Sequence, residues 1–466
     1  MKPQGFVAAG IALACILAAA ACGSSSGSGG SGSHGSAKQI TVWSEENDPS
    51  RIAITKEQAA KFTAQTGIKV KLVGLDENQF QQLVTEDAAA GKLPDVIGAL
   101  PLDSVQYLAS NDLLNTAAAK AVISELGPST FDQSAIRLTQ YKGAQAAVPS
   151  DAWVQLLIYR KDLFDKAHLP APTTYARIQA AAQKLNSPGM AGITMATDPA
   201  DAFTEQTFEY FALANGCQMV SSGGQPSLDS KPCQDTFNWY TNLVRNDSVR
   251  GTQTVDTTRA TYFAGKAAMV VWSSYLLGEM AGLVNEDLPT CPQCKSDHAF
   301  LAKNSGIVTA VQGPDGTAPA QFGEVTSWTI TKTAHASAAE KFIEFMLSKG
   351  YTSWLGMSPE GKFPVRHGTM ANPTLYADAW THLNTGVDTR APLAKFYPAS
   401  VLNILKVSPN SIHRWGLDVG QGALVGAASG QLVVPKAVAA AASGTITAAG
   451  AAQQAQQAVA QIKSSQ

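Results

Sequence analysis

The stretch Gln39-Ile-Thr-Val-Trp43, and the 55 or so residues after it, decide the fold. Apolar and polar side chains alternate in this pentapeptide, which predicts a half-buried strand. Ser44-Glu-Glu-Asn-Asp-Pro49 is a polar loop, and residues 50–66 carry a helical pattern with Ile54, Ala59 and Phe62 on one face. Gly67 stops that helix. Ile68, Val70 and Leu72 alternate as a second strand, residues 80–90 read as a helix, and Gly91-Lys-Leu-Pro94 turns into a short buried strand, Asp95-Val-Ile-Gly98. This βαβαβ rhythm implies an α/β fold with a parallel sheet and helices on both faces. In such sheets ligands bind beyond the carboxyl ends of strands. The Ser44–Glu46 loop lies at one such end, and Leu100-Pro101 follows another.

A second α/β region follows. Ala147-Val-Pro-Ser-Asp151 leads into a long strand, Trp153-Val-Gln-Leu-Leu-Ile-Tyr159. Helices are predicted over 161–167, 175–185, 203–214, 233–245 and 336–347, and strands over 267–272, 299–302, 306–311 and 324–330. From about 373 the chain reads as mostly helical, and no repeat recurs at a fixed period.

The 466 residues include 34 Lys and Arg against 36 Asp and Glu, a formal charge of −2. A near-neutral chain offers no basic field for nucleic acid phosphates. Charged residues are 15% of the chain and hydrophobic ones 45%, so this is a core-forming protein whose polarity rests on neutral side chains.

The N-terminus reads as an export signal. Lys2 precedes an almost uncharged apolar run over 6–21, too short to span a bilayer comfortably. It ends Ala19-Ala-Ala-Cys22-Gly23, the pattern of a bacterial lipoprotein signal in which Cys22 is lipidated and becomes the new N-terminus. Ala19 stands where Leu is usual. The signal is thus 1–22, and the Gly/Ser-rich segment 23–37 is a flexible tether with a reach of about 20 Å. Gly27-x-Gly29-x-x-Gly32 and Gly23-x-Ser25-x-Gly27 imitate nucleotide-binding and hydrolase motifs, but neither follows a strand or opens a helix.

Of six cysteines, Cys15 leaves with the signal and Cys22 takes lipid. Cys217, Cys233, Cys291 and Cys294 remain, an even number in an oxidising compartment. Local pairing, Cys217 with Cys233 and Cys291 with Cys294, is one of three possible connectivities. Cys291-Pro-Gln-Cys294 lacks the following helical pattern of a redox motif and a second pair to complete a zinc site. No metal and no cofactor is expected.

The order of elements resembles the family 1 extracellular solute-binding proteins of ABC importers, the maltose-binding-protein-like group. The resemblance runs from about 38 to 450. It rests on Gln39-Ile-Thr-Val-Trp-Ser44, Gly91-Lys-Leu-Pro-Asp-Val96, Leu157-Ile-Tyr-Arg-Lys-Asp-Leu-Phe164, Phe263-Ala-Gly-Lys-Ala-Ala-Met269, Ala338-Ala-Glu-Lys-Phe-Ile-Glu-Phe345 and Gly361-Lys-Phe-Pro-Val-Arg366. It implies a type II periplasmic-binding-protein-like fold: two lobes joined by hinge segments near 149–151, 306–314 and 358–364, with ligand in the cleft. Lobe one would be 38–149 plus 315–360, and lobe two 150–314 plus 361–466. The resemblance further implies a carbohydrate ligand, a partner permease of an ABC transporter, a monomer held at the membrane by its lipid alone, and no catalysis. A glycerophosphodiester-type polyol is the alternative ligand, and a secreted glycosidase using Glu45 or Glu46 with Asp151 is the remote one.

A sugar needs fixed hydrogen-bonding groups for its hydroxyls and flat aromatic walls for its C–H faces. The candidates are Ser44, Glu45 and Glu46 after the first strand and Gln79 at a helix start. Asp151 and Trp153 follow, two apart on one strand face. Trp272, Ser273 and Tyr275 stand at the end of a buried strand, and Ser327, Trp328 and Arg390 complete the set. Trp43, Trp239, Trp354, Trp380 and Trp415 are expected in the core.

Overall fold

The computed structural model describes residues 37–417 and 419–465, the side chain of Asn78 excepted. The signal, Cys22 and most of the tether lie outside the described residues. Nine strands form one continuous sheet: β1 (Gln39–Ser44), β2 (Lys69–Gly74), β3 (Val96–Leu100), β4 (Val148–Arg160), β5 (Met269–Ser273), β6 (Ser305–Val308), β7 (Gln321–Ile330), β8 (Phe363–Pro364) and β9 (Ile412–His413). β2, β1 and β3 are parallel neighbours, with β1 in the centre. β7 joins β3 antiparallel and carries the sheet on to β4.

β4 is the spine that links the halves. Over its first half it pairs with β7, from Val148 opposite Trp328 to Val154 opposite Gly323. Over its second half it pairs with β5 and β6, from Gln155 opposite Ser273 to Arg160 opposite Ser305. One strand thus serves two lobes. The predicted strand began at Trp153, but pairing with β7 extends it five residues earlier.

Helix α1 (Pro49–Thr66) starts where Asp48 accepts from the Ser50 amide at 2.8 Å and ends at Gly67, whose φ of 74° suits glycine. α1 joins β1 to β2, and α2 (Phe80–Ala89) joins β2 to β3. Alternate residues of the parallel strands feed opposite cores. Val42 and Val96 pack with Phe62 and Phe342, whereas Trp43 and Ile97 pack with Phe80, Val84 and Val105 of α3 (Leu102–Ser110). In the second lobe Leu157 of β4 joins a cluster with Phe208, Phe237 and Trp415, while Leu156 and Ile158 face Tyr262, Val270 and Leu301.

That first cluster is built by α4 (Ala202–Ala214), α5 (Lys231–Asp247), α7 (Gly422–Gly430), α8 (Val433–Ser443) and α9 (Ala448–Ser464), with α6 (Ala336–Met346) covering the first lobe. The predicted strand over 299–302 is instead the start of a short helix, Phe300–Asn304, whose Leu301 and Ala302 are buried. Apolar runs of four residues do not distinguish the two states. Both local disulfides, Cys217–Cys233 and Cys291–Cys294, are present, and Cys233 pins the start of α5 to the loop after α4.

Candidate functional site

The carboxyl ends of β2, β1 and β3 lie side by side, and each is followed by an acid. Glu45 comes directly after β1, held by its amide to Gly98 O at 3.2 Å. Glu77 follows β2 by three residues, in a short 3-10 turn. Asp103 follows β3 by three, in the first turn of α3. The Leu75 amide donates to Ser44 O at 2.9 Å, so β1 and β2 stay paired to their tips. Neighbouring strands stand about 4.8 Å apart, so the three chain ends fall within about 10 Å. The strongest charges acting on Glu45 are those of Glu77, Asp103, Glu46 and Glu324, all acidic. Burial first and these neighbours second hold its carboxyl well above the usual range, and one Glu45 oxygen is buried without a hydrogen-bond partner. Glu77, whose side chain is open to solvent, is also raised, by partial burial and then by Asp103, Asp76 and Asp201.

The facing side comes from α4. Asp201 caps it, accepting from the Phe203 amide at 2.9 Å. Glu205 and Glu209, one turn apart, are buried on its inner face. Arg414 lies between Glu209, at 3.3 Å, and Glu324 of β7, which also accepts from the Leu102 amide at 2.8 Å. One guanidinium therefore serves two buried carboxylates. Burial pushes Glu324 up to about 7 despite Arg414, and pushes Glu205 up to about 8 although Ser429 donates to it. One oxygen each of Glu205 and Glu209 has no partner, nor does the buried Thr204 hydroxyl.

A second charged group, fully compensated, sits where the hinge segments 149–151 and 358–364 are expected. Lys362 is buried, ion-paired to Glu46 and to Asp151 at 3.2 Å, with its ammonium 4.4 Å from the Trp354 ring centroid. Arg51 bonds Glu46 at 2.8 Å, and its guanidinium lies 5.4 Å over the Tyr275 ring. Burial alone would raise Glu46, but Lys362 and Arg51 hold it down at about 2.

The expected site residues divide accordingly. Glu45 stands among the rim acids. Glu46 and Asp151 belong to the hinge. Asp151 is corrected from a ligand group to a structural one: its oxygens accept from Ser150 (2.6 Å), Trp354 (2.5 Å), Thr326 (2.7 Å) and Lys362. Trp153 is half-buried, 5.9 Å from Phe322 and directly opposite Glu324. Tyr275 lies against Gly361, where an added Cβ would stand 2.0 Å from the ring. The Ser44 hydroxyl turns back to accept from the Glu46 amide at 3.2 Å. Gln79 is on the surface.

Trp328 and Trp272 are corrected to core. Trp328 is wedged against Trp354 at 4.9 Å and Phe342 at 5.8 Å, and Trp272 packs on Phe203 while donating to Val255 O at 3.1 Å. Ser273 and Ser327 are buried in β5 and β7, the latter with its hydroxyl unpartnered. Arg390 is exposed and donates to Gly356 O at 2.7 Å and Asn384 O at 2.9 Å, so it secures a loop. Sequence reasoning missed Glu77, Asp103, Asp201, Glu205, Glu209, Glu324 and Arg414. Two signals were available: Asp103 follows a strand end, and Glu205 and Glu209, spaced i,i+4, are the only charged residues of α4.

Two α/β lobes on a shared sheet, with polar groups gathered at strand ends between them, define a two-lobed solute-binding fold. The chain belongs to the bacterial extracellular solute-binding proteins, whose family model matches residues 57–381. It is therefore an exported protein of that family. It is 29% identical over 335 residues, 70% of this chain and 73% of the relative, to the Escherichia coli (strain K12) protein YcjN, provisionally named an ABC transporter periplasmic-binding protein. The maltose-bound T. maritima MalE3 structure superposes with a TM-score of 0.67 at 18% identity, covering 90% of this chain and 98% of that one. A sugar transporter from Arthrobacter chlorophenolicus A6 with bound laminaribiose gives 0.69 at 17%, covering 91% and 99%.

Proposed function

We propose that this protein captures a carbohydrate between its lobes and delivers it to the membrane permease of an ABC transporter. The observation that carries the reading is the set of acids after three adjacent parallel strands, facing α4 of the other lobe. Carboxylates are strong acceptors for hydroxyl groups, and the half-buried Trp153, opposite Glu324, offers an aromatic face. Such an acid-lined cleft disfavours the phosphodiester alternative, whose anionic phosphate would be repelled.

The lobes follow the expected division, 38–149 plus 315–360 and 150–314 plus 361–466, except that the segment 315–320 goes with the second. Asp315 accepts from Asn215 and Lys231 of the second lobe, which keeps the turn before β7 on that side. The passage into lobe one then falls at the start of β7. The mature chain is anchored by lipid on Cys22 at the outer face of the cytoplasmic membrane and acts as a monomer. No bond is broken in the cycle, so bound sugar is released unchanged.

The experiment is a ligand-dependent melting screen over mono-, di- and oligosaccharides, followed by calorimetry, product analysis and small-angle scattering. A bound, unaltered sugar and a smaller radius of gyration on binding are expected. Hydrolysed sugar would support a glycosidase, and failure of every sugar to bind would remove the carbohydrate assignment.

A further inference from the structure

The charge balance of the molecule is uneven in a way that its overall −2 conceals. At the hinge, Glu46 and Asp151 are matched by Arg51 and Lys362. Elsewhere Arg259 is ion-paired to Asp256, Glu279 and Asp287. At the cleft, by contrast, Glu45, Glu77, Asp103 and Asp201 form no ion pair among the described residues, and Glu205 is met only by the Ser429 hydroxyl. Arg414 is already shared by Glu209 and Glu324.

Resting on the carbohydrate reading, we propose that the ligand is a cationic sugar or cyclitol, carrying a protonated amine that the Glu45, Glu77 and Asp103 carboxylates of the first lobe receive. Two further observations point to a ligand there. Glu205 and Glu209 are nearly or fully buried on the facing helix, each with one carboxylate oxygen unpartnered, and the charge of Asp103 acts on both. Glu45, too, has a buried oxygen without a partner. Burying like charges together is unfavourable unless a cation is added or protons are taken up. A neutral sugar supplies hydroxyls but no charge. An ammonium supplies up to three donors and one positive charge, and so fits three acceptors at adjacent strand ends. The remaining hydroxyls of the ring would meet Glu205, Thr204 and Asp201 across the cleft.

The test uses matched pairs that differ only at their amine-bearing positions. Glucosamine is compared with glucose and N-acetylglucosamine, galactosamine with galactose, the free-amine chitobiose with its diacetyl form, and streptamine with scyllo-inositol. Spermidine serves as a cation without a ring. Binding is measured by calorimetry on the full mature chain and on Glu45→Gln and Glu77→Gln. The expected result is that the amine member of a pair binds at least about tenfold more tightly than its neutral partners. That preference, the ratio of amine to neutral affinity, should fall severalfold in each variant, with the ligand-free melting temperature nearly unchanged. A neutral sugar that binds as tightly as its amine overturns the inference and leaves the carbohydrate reading standing. A preference that survives in both variants overturns the assignment to these carboxylates. Spermidine binding with no sugar binding refutes the carbohydrate reading on which the inference rests, and silence across the panel refutes both.

Discussion

Replacing Lys362 with methionine removes one buried charge and leaves the volume nearly intact. The ammonium is fully buried, with Glu46 and Asp151 as its ion partners and the Trp354 ring beneath it. Glu46 would keep Arg51, and Asp151 would keep three neutral donors, Ser150, Thr326 and Trp354. Removing one partner of a buried pair typically costs about 3–5 kcal/mol. The residual donors place this case at the lower end, about 3 kcal/mol. The Glu46 titration gives a similar size, since moving its pKa from 4.5 to about 2 corresponds to about 3 kcal/mol. Because the folded pKa is depressed, that contribution is complete above pH about 4.5 and is lost as pH falls toward 2. Urea denaturation of wild type and Lys362→Met, followed by fluorescence and circular dichroism, should therefore show a loss of about 3 kcal/mol at pH 7 that shrinks below pH 4.5. Adding Asp151→Asn to the variant should recover part of the loss. A cost under about 1 kcal/mol at pH 7, or a difference that stays constant down to pH 3, would refute this account of the hinge.

Two further perturbations probe other parts of the chain. Gly98→Ala would set a methyl carbon 2.2 Å from the Trp328 ring, which is boxed in by Trp354 and Phe342, so unfolding midpoints should fall by the equivalent of about 3 kcal/mol; a change below about 1 kcal/mol would show that the ring can move. Cys22→Ala should abolish fatty-acid labelling of the expressed protein and release it from the membrane fraction, whereas equal labelling of both forms would dismiss the anchor.

Much of the fold was legible because its periodicities are local. The opening βαβαβ was read nearly to the residue: alternation, helical spacing and Gly67 each act within a few positions. The hinge and the cleft were not, because they are assembled from pairings distant in sequence. Asp151 and Trp153 were expected to share a face, and a strand guarantees that much. What a strand cannot reveal is that Lys362 and Trp354, some 200 residues away, would occupy the Asp151 carboxylate. Trp328 failed differently. An aromatic beside a hinge strand can face ligand or core, and only Gly98 on the neighbouring strand, which leaves room for the ring, decides it. Glu324 was invisible for the same reason as Arg414: each is meaningful only through the other.

The two charged groups are adjacent but obey different electrostatics, and that contrast bears on how the protein works. Glu46 belongs to the hinge although Glu45, its neighbour in sequence, belongs to the cleft, because consecutive residues beyond a strand end point in different directions. Glu46 and Asp151 are matched within the protein by Lys362 and Arg51, so their ion pairs exist whether or not a solute is present. In the proposed capture cycle the strand-end acids have no such match, so any favourable balance there would come from water with the lobes apart, or from the solute with them together. Closure without a solute would bury the same carboxylates with nothing to replace their hydration. The acids after β1, β2 and β3 would then oppose empty closure as well as recognise the ligand, and a transport cycle needs both properties from its binding protein.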